Sequence, residues 1–274
     1  MSKKVIVKLK GGIGNQLFQY AMAKSLSLNN SYRLYVDVHS GFSNDYLYKR
    51  NFELSYLGNV FKKACIDKRL PFIIEKVMNI LFKKKGFIKW RPWGYFLSDE
   101  NLMYQKQINE MNFNDKNIWI DGYWQSEKYF NKYKSVIVNE IIPPDPIEDN
   151  YLVLKKNLTK RNSIFIGMRL YEEVPANLKD YHNIEDMEFY SNSIKYFSQI
   201  ENPIYYVFST GNKKVLNKLK INGEIKYITP ENGFDNPLKT LWLFSQATKY
   251  IISNSTFYWW GAYFAEYRDV NTEI

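Results

Sequence analysis

The chain has 274 residues, 45% of them hydrophobic, enough for one large domain or two of ordinary size with a substantial buried core. A single cysteine, Cys65, and two histidines, His39 and His182, exclude an intramolecular disulfide, a cysteine-built metal site and a histidine cluster for zinc. A net charge of +10 suits nucleic acid, an anionic membrane surface or a polyanionic small ligand, but lysine is spread along the chain and no nucleic-acid motif accompanies it, so nucleic acid is not expected as a partner.

Met1-Ser2-Lys3-Lys4 leads straight into the first predicted strand, "VIVKLK", rather than into a hydrophobic signal region, which points to a cytoplasmic protein. The strand breaks at Gly11-Gly12-Ile13-Gly14, and a predicted helix, "NQLFQYAMAKSLSLNN", begins at once. Such a turn aims unpaired backbone N–H groups and the positive end of a helix dipole at one point, where Asn15 and Gln16 add side-chain amides. A phosphate, a carboxylate or a sugar hydroxyl would suit that point; a tight strand-to-helix turn needs no ligand at all. The pattern is not a Walker loop, because no Lys-Ser/Thr pair follows, nor G-x-G-x-x-G, because Leu17 holds the last glycine position.

A second strand, "RLYVDV", follows. The apolar run from Ile73 to Phe82 is broken by Glu75, Lys76 and Asn79, well short of the roughly 20 apolar residues of a membrane-spanning helix. Residues 82–93 then interleave Lys83, Lys84, Lys85, Lys89 and Arg91 with Phe82, Phe87, Trp90 and Trp93, a mixture suited to peripheral contact with a membrane on its inner face. After the strand "IWIDGYW", the proline-rich, acidic "EIIPPDPIEDN" marks a boundary near Pro143 to Asp149, giving domains 1–145 and 146–274.

In the second half, "SIFIGMRL" is a strand whose exit carries Arg169, placed for a two-donor grip on phosphate oxygens, with Glu172 and Glu173 close behind as a base or as ion-pair partners. "IYYVFST" brings Ser209 and Thr210 to a comparable strand end. Helices are expected over "NKKVLNKLK", "PLKTLWLFSQAT" and "TFYWWGAYFAEY", the last entered from the strand "KYIISNS" through Asn254, Ser255, Thr256 and Phe257, with Ser255 or Thr256 as its N-cap and Trp259 and Trp260 as core. Strands alternating with helices predict an α/β protein of parallel βαβ units, with ligands at the carboxyl ends of strands in a cleft between two halves. No D-x-D pair is present to hold Mg²⁺ against a diphosphate, so a transferase using a nucleotide sugar would neutralise its leaving group with arginine and backbone dipoles.

"KLKGGIGNQLFQYAMAKSL", "DGYWQSEKYF", "VFS" and "ISNSTFYWWGAYF", in this order and spacing, resemble the bacterial α-1,2-fucosyltransferases of glycosyltransferase family 11. The resemblance covers most of the chain. It implies a GT-B-type fold of two Rossmann-like lobes, an acceptor-side lobe over 1–145 and a donor lobe over 146–274, the latter short at its C-terminal end relative to the family. It further implies GDP-L-fucose as donor, a galactoside of a surface glycan precursor or oligosaccharide as glycan acceptor, inversion at the anomeric carbon, and neither cofactor nor metal. The family's His-x-Arg-Arg-x-Asp motif falls on Gly167 to Glu172: Arg169 matches the first arginine, Gly167 stands for the histidine, Leu170 for the second arginine and Glu172 for the aspartate. Phe208-Ser209-Thr210-Gly211 stands for Phe-Ser-Asp-Asp, and Tyr258 stands where serine is common. The expected catalytic residues are Arg169, Glu172 and Asn15, and the expected substrate contacts are Gly11, Gly12, Gly14, Gln16, Ser209, Asn254, Ser255, Thr256 and Phe257. Transfer of another GDP-sugar, or a binding protein without turnover, are the alternatives.

Overall fold

Val5, Ile6 and Val7 are each 1% exposed or less. A strand apolar on both sides belongs at the centre of a sheet with both faces covered, and this one pairs in parallel with a neighbour on each side. The structure, a computed structural model, describes residues 3–46, 48–82, 87–99, 103–147, 149–158, 162–169, 187–209, 221–269 and 271–274. Contacts divide the chain into two units, Met1–Ile142 and Pro143–Ile274.

The first unit runs β1 (Lys4–Lys8), α1 (Ile13–Asn30), β2 (Arg33–Asp37), β3 (Lys62–Lys63), α2 (Ile66–Phe82), β4 (Ile88–Arg91), β5 (Gly94–Ser98), α3 (Lys106–Glu110), β6 (Asn117–Asp121) and α4 (Lys134–Ile141). Its sheet has the order β3-β2-β1-β6-β5-β4, parallel except for the β4–β5 hairpin. Phe72 of α2 packs with Ile6, Phe96 and Trp119. The helix α1 starts at Ile13, two residues before the predicted start, because Gly12 already serves as its N-cap. The elements β3, α2, β4, β5, α3 and α4 are not predicted from the sequence. The interleaved cations and aromatics of 88–91 are in fact strand alternation: Lys89 and Arg91 turn to Glu75 of α2, while Trp90 points to the other face and is exposed.

The second unit runs α5 (Asp149–Leu158), β7 (Ser163–Gly167), α6 (Met187–Tyr196), β8 (Ile204–Phe208), β9 (Glu224–Ile228), α7 (Pro237–Phe244), β10 (Tyr250–Ile252) and α8 (Thr256–Arg268). Its sheet is wholly parallel, ordered β10-β7-β8-β9. Strand β7 divides its side chains between two cores. Phe165 joins Tyr206, Phe208 and side chains of α5, α7 and α8 on one face, and Ile164 and Ile166 join Val207 and Tyr190 of α6 on the other. Gly261 lets α8 approach α7 closely, since an added Cβ would run into the Phe244 ring. The predicted helix "NKKVLNKLK" lies outside the described residues.

Candidate active site

In the first unit the glycine turn after β1 is held open by two glutamines of α1. Gly11 has φ +76°, and a Cβ there would stand 2.7 Å from Asn15 Nδ2, so the turn requires glycine. The Gln19 amide accepts the Lys10 N–H at 2.9 Å and donates to the Lys10 carbonyl at 3.1 Å. Gln16 is fully buried; its Nε2 donates to the carbonyls of Gly11 and Asn51, both at 2.8 Å, and its Oε1 accepts the Glu53 N–H at 2.9 Å. Both N–H donors of Gln16 are thus committed inside the unit, where they fix the turn's shape. Gly14 is buried as well, whereas Gly11, Gly12 and Asn15 are half-buried. Asn15 Oδ1 accepts from Gln125 Nε2 at 2.8 Å, which ties the start of α1 to the loop after β6.

Strands β1 and β6 are parallel neighbours, so their carboxyl ends emerge side by side. There Lys8 and Lys10 both pair with Asp121, Lys10 at 2.8 Å. Burial alone would raise the Asp121 pKa, but the two ammonium groups hold it below the ordinary carboxylate value. Lys10 also stands over the Tyr123 ring, 4.9 Å from its centroid.

Two further groups at the glycine turn escape a reading of the sequence. The Arg50 guanidinium carbon lies 3.7 Å from the place a Cβ on Gly12 would occupy. The Glu53 carboxylate accepts the Ile13 N–H, and its Oε2 is enclosed with no hydrogen-bond partner among the described residues. Burial pushes the Glu53 carboxyl above its ordinary pKa, against the opposing pull of Arg50 and the Ile13 N–H. Arg50-Asn51-Phe52-Glu53 has no periodicity and no motif, so nothing in the sequence marks it.

In the second unit three strands of one parallel sheet, β10, β7 and β8, end on the same edge, which collects the expected donor-side residues. Arg169 follows β7; its N–H donates to the Tyr190 hydroxyl at 3.1 Å, and among the described residues its half-buried guanidinium forms no ion pair. Ser209 follows β8 and is buried. Ser253, at the end of β10, donates through both its N–H and its hydroxyl to the Gly167 carbonyl, at 3.3 and 3.2 Å. Asn254 is exposed, while Ser255, Thr256 and Phe257 are half-buried. Ser255 holds the N-cap position of α8 with extended backbone, yet its side chain makes no capping bond, and no acidic residue occupies the first turn. An N-terminus left open in this way, next to a strand that ends in arginine, can accept phosphate oxygens. Trp260 is core as expected, whereas Trp259 is only half-buried and stacks on Tyr263 with centroids 4.6 Å apart. Glu172, Glu173 and Thr210 lie outside the described residues.

Among the described residues no three His, Cys, Asp or Glu come together as a metal site, and no helix is long and apolar enough to cross a membrane.

Comparison with known proteins identifies the family and the fold type. The chain is 30% identical over 278 residues to an Escherichia coli alpha-1,2-colitosyltransferase, covering 96% of this chain and 88% of that protein. It is 21% identical over 291 residues to the Escherichia coli O-antigen biosynthesis glycosyltransferase WbnK, covering 95% and 90%. Among solved structures it resembles an Arabidopsis thaliana FUT1 variant in complex with GDP (TM-score 0.55, 14% identity, 97% of this chain and 69% of that one). It also resembles NodZ alpha-1,6-fucosyltransferase soaked with GDP-fucose (TM-score 0.52, 14% identity, 96% and 92%). These likenesses show the α/β fold to be of GT-B type. Residues 4–272, nearly the whole chain and every strand end described above, match the profile of Glycosyl transferase family 11, so the chain belongs to that family and is a glycosyltransferase.

Proposed function

We propose that the protein transfers L-fucose from GDP-L-fucose to a galactose hydroxyl of a surface glycan precursor or oligosaccharide, in α-1,2 linkage, with inversion and without a metal. The observation that carries this reading is the open N-terminus of α8 beside Arg169. A GDP leaving group carries its new charge on the β-phosphate, and a guanidinium that forms no ion pair among the described residues stabilises that charge where no cation is bound. The acceptor oxygen bonds to C1 as the bond from C1 to the phosphate oxygen breaks, the electron pair leaving with GDP and the hydroxyl proton passing to Glu172. Gly11, Gly12 and Asn15 serve the acceptor side, and Gln16 supports them from beneath. The structures of FUT1 with GDP and NodZ with GDP-fucose support a GDP-sugar donor.

A second reading rests on the relative named alpha-1,2-colitosyltransferase. Colitose is L-fucose without its 3-hydroxyl, so the two donors differ by one hydrogen-bonding group. A site built to bond that hydroxyl rejects the deoxy sugar strongly, whereas an apolar one discriminates weakly. The test measures GDP release from GDP-fucose and GDP-colitose over a panel of galactoside acceptors, with and without chelator. Release from GDP-fucose that survives the chelator supports the first reading. Release from GDP-colitose alone replaces it, and loss of activity on chelation refutes the metal-free mechanism.

A further inference from the structure

Helix α2 leaves a line of large aliphatic side chains uncovered. Leu70, Ile73, Val77 and Ile80 are 51%, 54%, 49% and 69% exposed, while Phe72 and Glu75 on the opposite side are buried against the sheet. The spacing i, i+3, i+7, i+10 places the four on one face, a stripe about 15 Å long. Exposed apolar residues are ordinary when scattered; four in register on one helix mark a contact surface.

The charge around the stripe says what covers it. Residues 62–93 hold ten Lys and Arg against two acidic residues, eight of the chain's ten net positive charges. Both acidic residues are taken within the unit: Glu75 is 1% exposed and binds Arg91 and Lys89, and Asp67 pairs with Lys68. Lys76 is exposed, one helical turn from both Ile73 and Ile80, and Lys62 and Lys63 just before α2 are exposed as well.

We infer that this face of α2 lies in the interface of an anionic phospholipid bilayer, the aliphatic stripe entering the acyl boundary and the surrounding cations meeting the headgroups. A second copy of the chain is disfavoured by the same charge, since two such faces repel. Nucleic acid is disfavoured by the stripe's composition, because aliphatic side chains give nucleobases no stacking plane. The inference does not depend on which sugar is transferred.

The experiment is flotation of the purified chain with vesicles of equal parts phosphatidylglycerol and phosphatidylcholine, against vesicles of phosphatidylcholine alone. The chain is expected to float with the first and not the second, and to be released by high salt. Replacing Ile73, Val77 and Ile80 together by Ser is expected to weaken binding by on the order of tenfold or more, with an unchanged melting temperature because all three are exposed. Lys76→Gln, on the same helix, is expected to weaken it roughly fivefold. No binding to the anionic vesicles, or binding untouched by the triple serine variant, overturns the inference. So does sedimentation showing a dimer that the triple serine variant dissociates, which would assign the face to a second copy.

Discussion

The ring of Tyr258 lies over Gly167: a Cβ built on Gly167 would stand 2.6 Å from Cδ1 and 2.8 Å from Cδ2 of that ring. The Tyr258 hydroxyl lies 2.9 Å from the Phe208 carbonyl and 3.2 Å from that of Met168, so it closes the carboxyl ends of β8 and β7 together. Gly167 thus leaves open the space that the Tyr258 ring fills, and the two positions share one volume.

Coupling between the two positions follows from that shared volume. Gly167→Ala forces the ring aside and is expected to cost about 1–3 kcal/mol. Tyr258→Ser empties a buried site and removes the one hydroxyl proton shared between the Phe208 and Met168 carbonyls, for about 3 kcal/mol or more. In the double variant the alanine methyl has room, so the two costs should fall short of additivity by about 1 kcal/mol or more. Urea unfolding of all three variants measures this, and simple additivity would separate the two sites.

Glu53 gives a pH signature. Its folded pKa lies above the ordinary 4.5, mainly through burial, so the folded state holds the proton longer than the unfolded chain does. Stability therefore falls as pH rises from about 4.5 through the folded pKa, and the full penalty is present above it. Glu53→Gln stays neutral and can still accept the Ile13 N–H. It should melt at or above the wild-type temperature at about pH 8, with the difference vanishing towards about pH 4. Turnover should be nearly unchanged; a loss on the order of a hundredfold with normal stability would make Glu53, rather than Glu172, the proton acceptor.

In the second unit β7, β8 and β10 were legible because they are buried: runs such as Ile164-Phe165-Ile166 have no other use, and the chain leaving them carries Arg169, Ser209 and Ser255, whereas the half-exposed edge strand β9 and the helices α5 and α6 were not read. The glycine turn was legible as a special backbone, but the division of labour between Asn15 and Gln16 was not. Gln16 is bound by partners at Asn51 and Glu53, which are near it only after folding. The β4–β5 hairpin was hidden because Lys89 and Arg91 read as surface cations until Glu75, on α2, is seen between them. Arg50 and Glu53 sit in a stretch whose pattern announces neither helix nor strand, and position alone gives them meaning.

The uncapped start of α8 separates binding from stability at Ser255. An N-cap serine that bonds the helix usually contributes about 1 kcal/mol, but the Ser255 hydroxyl makes no such bond. Replacing Ser255 and Thr256 together by alanine should therefore change the melting temperature little. Affinity for GDP, by calorimetry on the folded variant, should fall by roughly tenfold if the hydroxyls meet phosphate. Unchanged affinity would remove them from the donor site.

Arg169 carries the sharpest test, because its backbone and side chain have separate tasks. The backbone N–H binds the Tyr190 hydroxyl at 3.1 Å, which any residue at this position retains, while the guanidinium forms no ion pair among the described residues. If it stabilises charge that grows on the β-phosphate as the glycosidic bond breaks, it contributes more to the transition state than to the ground state. Arg169→Ala should then lower turnover by a factor on the order of a hundred or more, weaken GDP-sugar binding less, and leave the melting temperature close to wild type. Arg169→Lys should recover only part of the rate, because a point charge does not reproduce a planar two-donor grip. An ordinary structural arginine gives the reverse: a lowered melting temperature, with normal turnover in the folded fraction. Rate and stability measured on the same two variants decide between them, and a folded, fully active alanine variant would end the phosphate role.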